Sequence, residues 1–326
     1  MYCNTNSICC IRWLMLISRL LCLLAAAIAT AVTASQRPTN LDSAMQDIRN
    51  LSADEMRGRE TGTDDAAKAR EYIAKRFAQA NLTQQPYLQP FVYEMGFSQR
   101  QGVNVVGHRQ GCAYPDHFIV VTAHYDHLGK HKGAIYNGAD DNASGVAGLL
   151  YLAMQTKTQC PAYSMVFVAT DAEELGLYGA KAYVDKPSVP MDQVVLNINL
   201  DMISRGERGG KLYVAGTRKQ PLLQQLPTLR ASEIKLIAAH DKRQTMRGQN
   251  QSVDWPNASD HAPFRKAGIP YLYFGVDVHP QYHTPEDDWS RISPDYFSQA
   301  LQWIDASLAY VQTLSPEQWQ SMRQPK

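Results

Sequence analysis

The stretch that most constrains this chain runs from Phe118 to Gly145, FIVVTAHYDHLGKHKGAIYNGADDNASG. An apolar, β-branched run, Phe118 to Val121, leads into His124, Asp126 and His127. A glycine-bearing loop then brings Asp140, Asp141 and Asn142 to the head of a small-residue run with helical character. A strand that stops at a histidine, followed by a loop that stops at a carboxylate, describes a metal site at the edge of a sheet. Three later stretches repeat the device. Met165 to Ala169 precedes Asp171, Glu173 and Glu174; Val194 to Leu200 precedes Asp201; Pro270 to Phe274 leads to His283. Ligands of open α/β sheets bind beyond the C-terminal strand ends, so one rim is expected to collect two histidines and several carboxylates.

Helical patterns separate these strands, at Gly145 to Thr156, Glu174 to Val184 and Pro294 to Leu314. Ahead of them, Leu41 to Leu51 and a segment capped by Asp64 or Asp65 read as amphipathic helices. Pro86 to Tyr93 and Gly102 to Gly107 read as an antiparallel edge. Leu212 to Ala215 is a further short strand, and Leu222 to Ala239 holds a helix with room for another strand. His240 to Ala258 is polar and aperiodic, the pattern of a long surface loop. The fold class is therefore α/β: a single domain with a mixed, mostly parallel twisted sheet and helices on both faces.

The 326 residues carry a formal net charge of +1, which argues against binding nucleic acid or anionic membranes by bulk charge. The first residues differ from the rest. An apolar, alanine-rich stretch behind Arg12 and Arg19 ends in Val32-Thr33-Ala34, the small residues a signal peptidase reads. Met1 to about Ala34 is thus expected to be an export signal, with residues 35–326 the mature domain in the periplasm or medium. Four of the six cysteines fall in that segment. The other two, Cys112 and Cys160, each stand about six residues before an apolar strand. Equal offsets before parallel strands predict a disulfide at one edge of the sheet, which an exported protein retains.

Two imidazoles with three carboxylates suit one or two zinc ions. A pair of metals ~3.5–4 Å apart needs a shared ligand, and a carboxylate with diverging oxygens supplies it. Asp126, two residues after His124, is placed to orient that imidazole. Adjacent Glu173 and Glu174 would repel in one pocket unless a metal took one of them. The other is then free to act as a general base.

AHYDH (123–127), GADDNASG (138–145), DAEELGLYGAKAY (171–183), NLDM (199–202), SDHAPFRKAGIP (259–270) and YHTPEDD (282–288) resemble the secreted bacterial di-zinc aminopeptidases of the twenty-eighth metallopeptidase family. DEMRGRETGT (54–63) is similar to that family's opening. The resemblance implies the zinc-exopeptidase fold and two zinc ions per chain. His124 and Asp201 would bind one ion, Glu174 and His283 the other, with Asp141 bridging and Glu173 as base. It also implies a cis peptide after Asp141 and peptide substrates with a free N-terminus; a monomer is the expected state. Glutaminyl cyclases, carboxypeptidases or dipeptidases, and metal-free binding modules share the fold and are the rival functions. His127 and His131 are expected to be solvated loop histidines, and His240 and His279 to have no special role. His261 falls in a family-like motif whose task the sequence does not disclose.

Overall fold

Alternation along the strands decides which face of the sheet each helix covers. In the computed structural model, which describes residues 40–206, 209–218, 220–245 and 252–323, β1 is Leu88–Met95, β2 Ser98–Arg109 and β3 Tyr114–His124. Ile119, Val121 and Ala123 of β3 point to one side, and Val120 to the other. With β6 (Tyr163–Thr170) the same split recurs: Met165, Phe167 and Ala169 against Val166 and Val168. The first side packs against α1 (Leu41–Leu51), α2 (Asp64–Gln79), α3 (Gly145–Gln155), α6 (Pro294–Val311) and α7 (Pro316–Met322). The second side meets Tyr183 of α4 (Tyr178–Asp185) and Phe264 of α5 (His261–Lys266). A strand buried on both faces reads as a near-continuous apolar run, which is how β3, β6 and β7 (Val194–Leu200) are written.

The strand order is β1-β2-β6-β3-β7-β12-β8-β9, where β8 is Lys211–Ala215, β9 Lys235–Ala238 and β12 Tyr271–Gly275. β6, β3, β7 and β12 run parallel in succession, so their C-terminal ends share one rim. The β1–β2 hairpin continues the sheet antiparallel to β6, and β1 is an edge strand as expected. Two short hairpins lie outside the sheet, β4–β5 (Gly129–His131 with Ala134–Tyr136) and β10–β11 (Arg243–Thr245 with Ser252–Asp254). Cys112 and Cys160 form the expected disulfide, with Cα atoms 6.1 Å apart. The proposed export signal lies outside the described residues. Among those described, no helix is long and apolar enough to cross a membrane.

Three expectations need correction. The helix expected to be capped by Asp64 or Asp65 is capped by Thr63, whose hydroxyl accepts the Ala66 amide at 3.2 Å. The helix expected from Glu174 starts at Tyr178. Ala172, Gly176 and Leu177 all have positive φ, so residues 171–177 form a loop that carries both glutamates. The polar segment after His240 is not simply surface. Trp255 is buried and its ring is stacked on that of His240, centroids 3.7 Å apart and nearly parallel at 5°.

Candidate active site and metal centre

His124 closes β3 and is buried at the rim. Its Nδ1 lies 3.2 Å from the carbonyl of Asp126. A carbonyl only accepts, so Nδ1 carries the proton and Nε2 presents its lone pair. That Nε2 faces Asp141 Oδ1 at 3.3 Å and Asp201 Oδ1 at 3.5 Å. Asp126 orients the site by a second route as well. Its carboxylate accepts the amides of Glu173 at 3.1 Å and Glu174 at 3.3 Å, fixing the turn that presents both glutamates.

Asp141 sits in a kinked helical turn, Ala139–Ser144, and the bond to Asn142 is cis. Gly138 enters the turn at φ 55°, where a Cβ would stand 2.5 Å from the His127 ring. Asp287 receives the amides of Asp140 and Asp141, each at 3.0 Å. Asn142 Oδ1 accepts the amide of Met202 at 3.1 Å, and its Nδ2 donates to the carbonyl of Leu200 at 2.9 Å. The Asp141 turn is thereby tied to the end of β7, where Asp201 emerges. Ala172, Met202 and His283 all hold left-handed backbone beside or at candidate ligands. Such residues cost ~1–3 kcal/mol each and persist where the surroundings over-determine them.

On the other side of Asp141, His283 Nε2 lies 3.1 Å from both Asp141 Oδ2 and Glu174 Oε2. Ligands about 2.05 Å from a tetrahedral zinc stand ~3.3 Å from one another, and the separations of 3.1–3.5 Å match that edge length. Asp141 Oδ2, Asp201 Oδ1 and His283 Nε2 are buried without a hydrogen-bond partner. Lone pairs turned toward each other in this way are reconciled by a cation, and the donor set suits zinc. Two clusters have ligand atoms mutually within 4.8 Å: His124, Asp141 and Asp201, and His127, Asp141 and Glu174.

His127 therefore differs from its expectation as a solvated loop residue. It is buried, and Nδ1 lies 2.7 Å from Glu174 Oε1. The sequence offered a signal, since His127 shares the AHYDH motif, but nothing local says that its ring turns inward. His279 is also buried, 3.3 Å from Asp140 Oδ2. His240 is sandwiched between Tyr213 and Trp255. The Ser259-Asp260-His261 motif now has a task. Ser259 accepts from Asn199 at 2.8 Å, Asp260 accepts from Thr170 at the end of β6, and His261 reaches the carbonyl of Trp255 at 3.0 Å. Burial pulls the His261 imidazole down to about 3, so it remains neutral.

Glu173 faces the same cleft, of about 120 Å³, lined also by Met202, Val253, Trp255, Ala258, Val278 and Tyr282. Burial pushes its carboxyl well above the ordinary range, helped by Glu174, Asp260 and Asp201 and opposed by His124.

Residues 104–307 match Peptidase family M28. The chain belongs to that family. Aminopeptidase YwaD of Bacillus subtilis is 30% identical to this M28 chain over 222 residues, covering 65% of this chain and 45% of the relative. The chain thus spans less than half the length of that relative. A solved zinc aminopeptidase from Bacillus subtilis aligns at TM-score 0.69 and 19% identity, over 86% of this chain and 97% of the other. A Porphyromonas gingivalis glutaminyl cyclase aligns at TM-score 0.65 and 18% identity, over 82% and 97%. These two likenesses concern the fold.

Proposed function

We propose that this M28 chain is an exported, zinc-dependent exopeptidase that hydrolyses the first peptide bond of peptides with a free N-terminus. His124 and Asp201 would hold one zinc, Glu174 and His283 a second, and Asp141 would bridge them. His127 holds Glu174 by its Nδ1. Bound there, zinc would polarise a carbonyl and lower the pKa of a water toward ~7.

The remaining steps belong to the chain. Asp126 holds the Glu173 amide, so this carboxylate stays aimed into the cleft. Glu173 takes a proton from the attacking water and delivers it to the departing amine. A basicity raised by burial suits a group that both accepts and returns a proton. Tyr282, stacked on His283 at 3.8 Å, brings a phenol to the same cleft.

The observation that carries the reading is the matched set of imidazole–carboxylate edges around Asp141. The preference for an amino terminus rests on charge. The cleft is lined by Asp141, Glu173, Glu174 and Asp201 and, among the described residues, by no lysine or arginine. Zinc would neutralise Asp141, Glu174 and Asp201, so Glu173 is the acidic group left to attract an α-ammonium. Export is supported by the apolar leader and by the disulfide.

Aminoacyl arylamides and their N-blocked counterparts test this, with and without chelator. Unblocked substrates should be turned over, blocking should abolish turnover, and Glu173→Ala should lose activity while retaining zinc. Equal turnover of blocked substrates overturns the assignment.

A further inference from the structure

One turn near the start of the domain touches three of the five segments that carry the candidate ligands, those of His124, Asp141 and Glu174. Arg59 is completely buried and held at φ 52°. Its Nε donates to the carbonyl of Tyr125 at 2.7 Å, between His124 and Asp126. Its Nη1 donates to Leu51 and Asn137, both at 2.6 Å, and its Nη2 to Gly138 at 3.0 Å. One planar fork therefore ties the end of β3 to the entry of the Asp141 turn, with the end of α1 as a third anchor. Two residues on, Thr61 Oγ1 lies 2.9 Å from Asp171 Oδ1 and 3.2 Å from Asp126 Oδ2. Asp126 in turn receives the Glu173 and Glu174 amides, and Asp171 receives those of Val103 and Ala172, both at 2.9 Å.

We infer that the Arg59–Thr61 turn is a positioning element that sets the spacing of the ligand loops. Arg59 acts through the backbone of Tyr125, Asn137 and Gly138, and Thr61 through the carboxylates of Asp126 and Asp171. The geometry has a chemical logic. These four donor contacts of Arg59 all go to carbonyls, so the side chain brings positive charge close to Asp141, Asp126 and Glu174 without occupying their oxygens. Burial lowers its guanidinium to about 10 against the pull of those carboxylates, so it stays charged at neutral pH. A lysine cannot replace it, because three donors on one atom do not span four carbonyls in a plane.

The inference rests on the two-zinc reading, and the test separates the two. Zinc stoichiometry and affinity are measured on the full mature chain by competition with a chromophoric chelator. The Co(II)-substituted protein supplies an absorption spectrum as a second readout. Arg59→Lys and Thr61→Val are compared with wild type, with Thr61→Ser as the rescue. Val311→Ala, in α6, is a control for loss of stability alone. Partners behind metal ligands typically govern affinity by ~10–100-fold. Arg59→Lys and Thr61→Val should each weaken zinc by about tenfold or more and alter the Co(II) spectrum, while Thr61→Ser restores both. Val311→Ala should melt earlier with unchanged zinc affinity. If the two variants hold zinc within twofold of wild type and merely melt earlier, the turn is structural only and the inference falls. Should Arg59→Lys not fold, Thr61→Val and its rescue decide. Wild type that binds no zinc defeats the proposed function instead.

Discussion

Removing the metal should load the two ligand imidazoles with protons. A histidine ligates only when neutral, yet both rings sit among carboxylates. Burial alone would lower His124, but the Glu173 charge and the close approach of Asp141 and Asp201 outweigh it and raise the ring well above 6.5. For His283, burial is likewise outweighed by Asp141 and Glu174, and the ring rises from 6.5 to about 10. Chelation at pH 8 should therefore be accompanied by net proton uptake, smaller in His283→Gln. A rise of that size is worth ~5 kcal/mol at full burial. With 34% of the His283 side chain open to solvent, screening reduces it to ~2 kcal/mol. For a group whose folded value is raised, that stabilisation is complete below pH 6.5 and is lost as pH climbs through about 10. The chelated protein should accordingly lose ~3 °C in Tm between pH 7 and pH 10. Indicator-dye titration of proton uptake and melts across that range measure both. No uptake at pH 8 would refute the assignment of these rings as neutral ligands.

Two further outcomes follow from the same structure. Opening the Cys112–Cys160 bridge, which closes a separation of 48 residues, should cost ~4 kcal/mol on the chain-entropy account. Melts of the double serine variant, or of wild type with reductant, read this directly, and an unchanged Tm contradicts it. Trp255→Ala should widen the cleft at the wall formed with Val253, Ala258 and Val278. It should shift the kcat/KM ratio toward substrates with larger N-terminal side chains, and an unchanged ratio across an aminoacyl panel removes Trp255 from the specificity wall.

Much of the candidate site was readable in advance because of where strands end. His124, Asp201 and the Asp171–Glu174 group each follow a run apolar enough to be buried on both faces, and parallel neighbours bring such ends to one rim. Asp141 and His283 are less local. They stand on loops; the strand pattern points toward both, and the whole-motif resemblance chose Asp141 over Asp140 and gave His283 its role. His127 was misjudged because its partner, Glu174, lies 47 residues away. Nothing beside His127 records that burial. The helix expected from Glu174 failed for a backbone reason: Asp126 claims the Glu173 and Glu174 amides and holds them in a turn.

By itself the sequence determined the alternation of core faces, the class of fold and the chemistry gathered at the strand ends, because side-chain period and strand length are local properties. Tertiary structure alone decided which of the rim imidazoles meet Glu174, that Arg59 spans carbonyls as much as 79 residues distant, and that Trp255 turns inward against His240. Those outcomes depend on segments meeting across the fold, where buried polar groups must find partners and no local pattern states which ones.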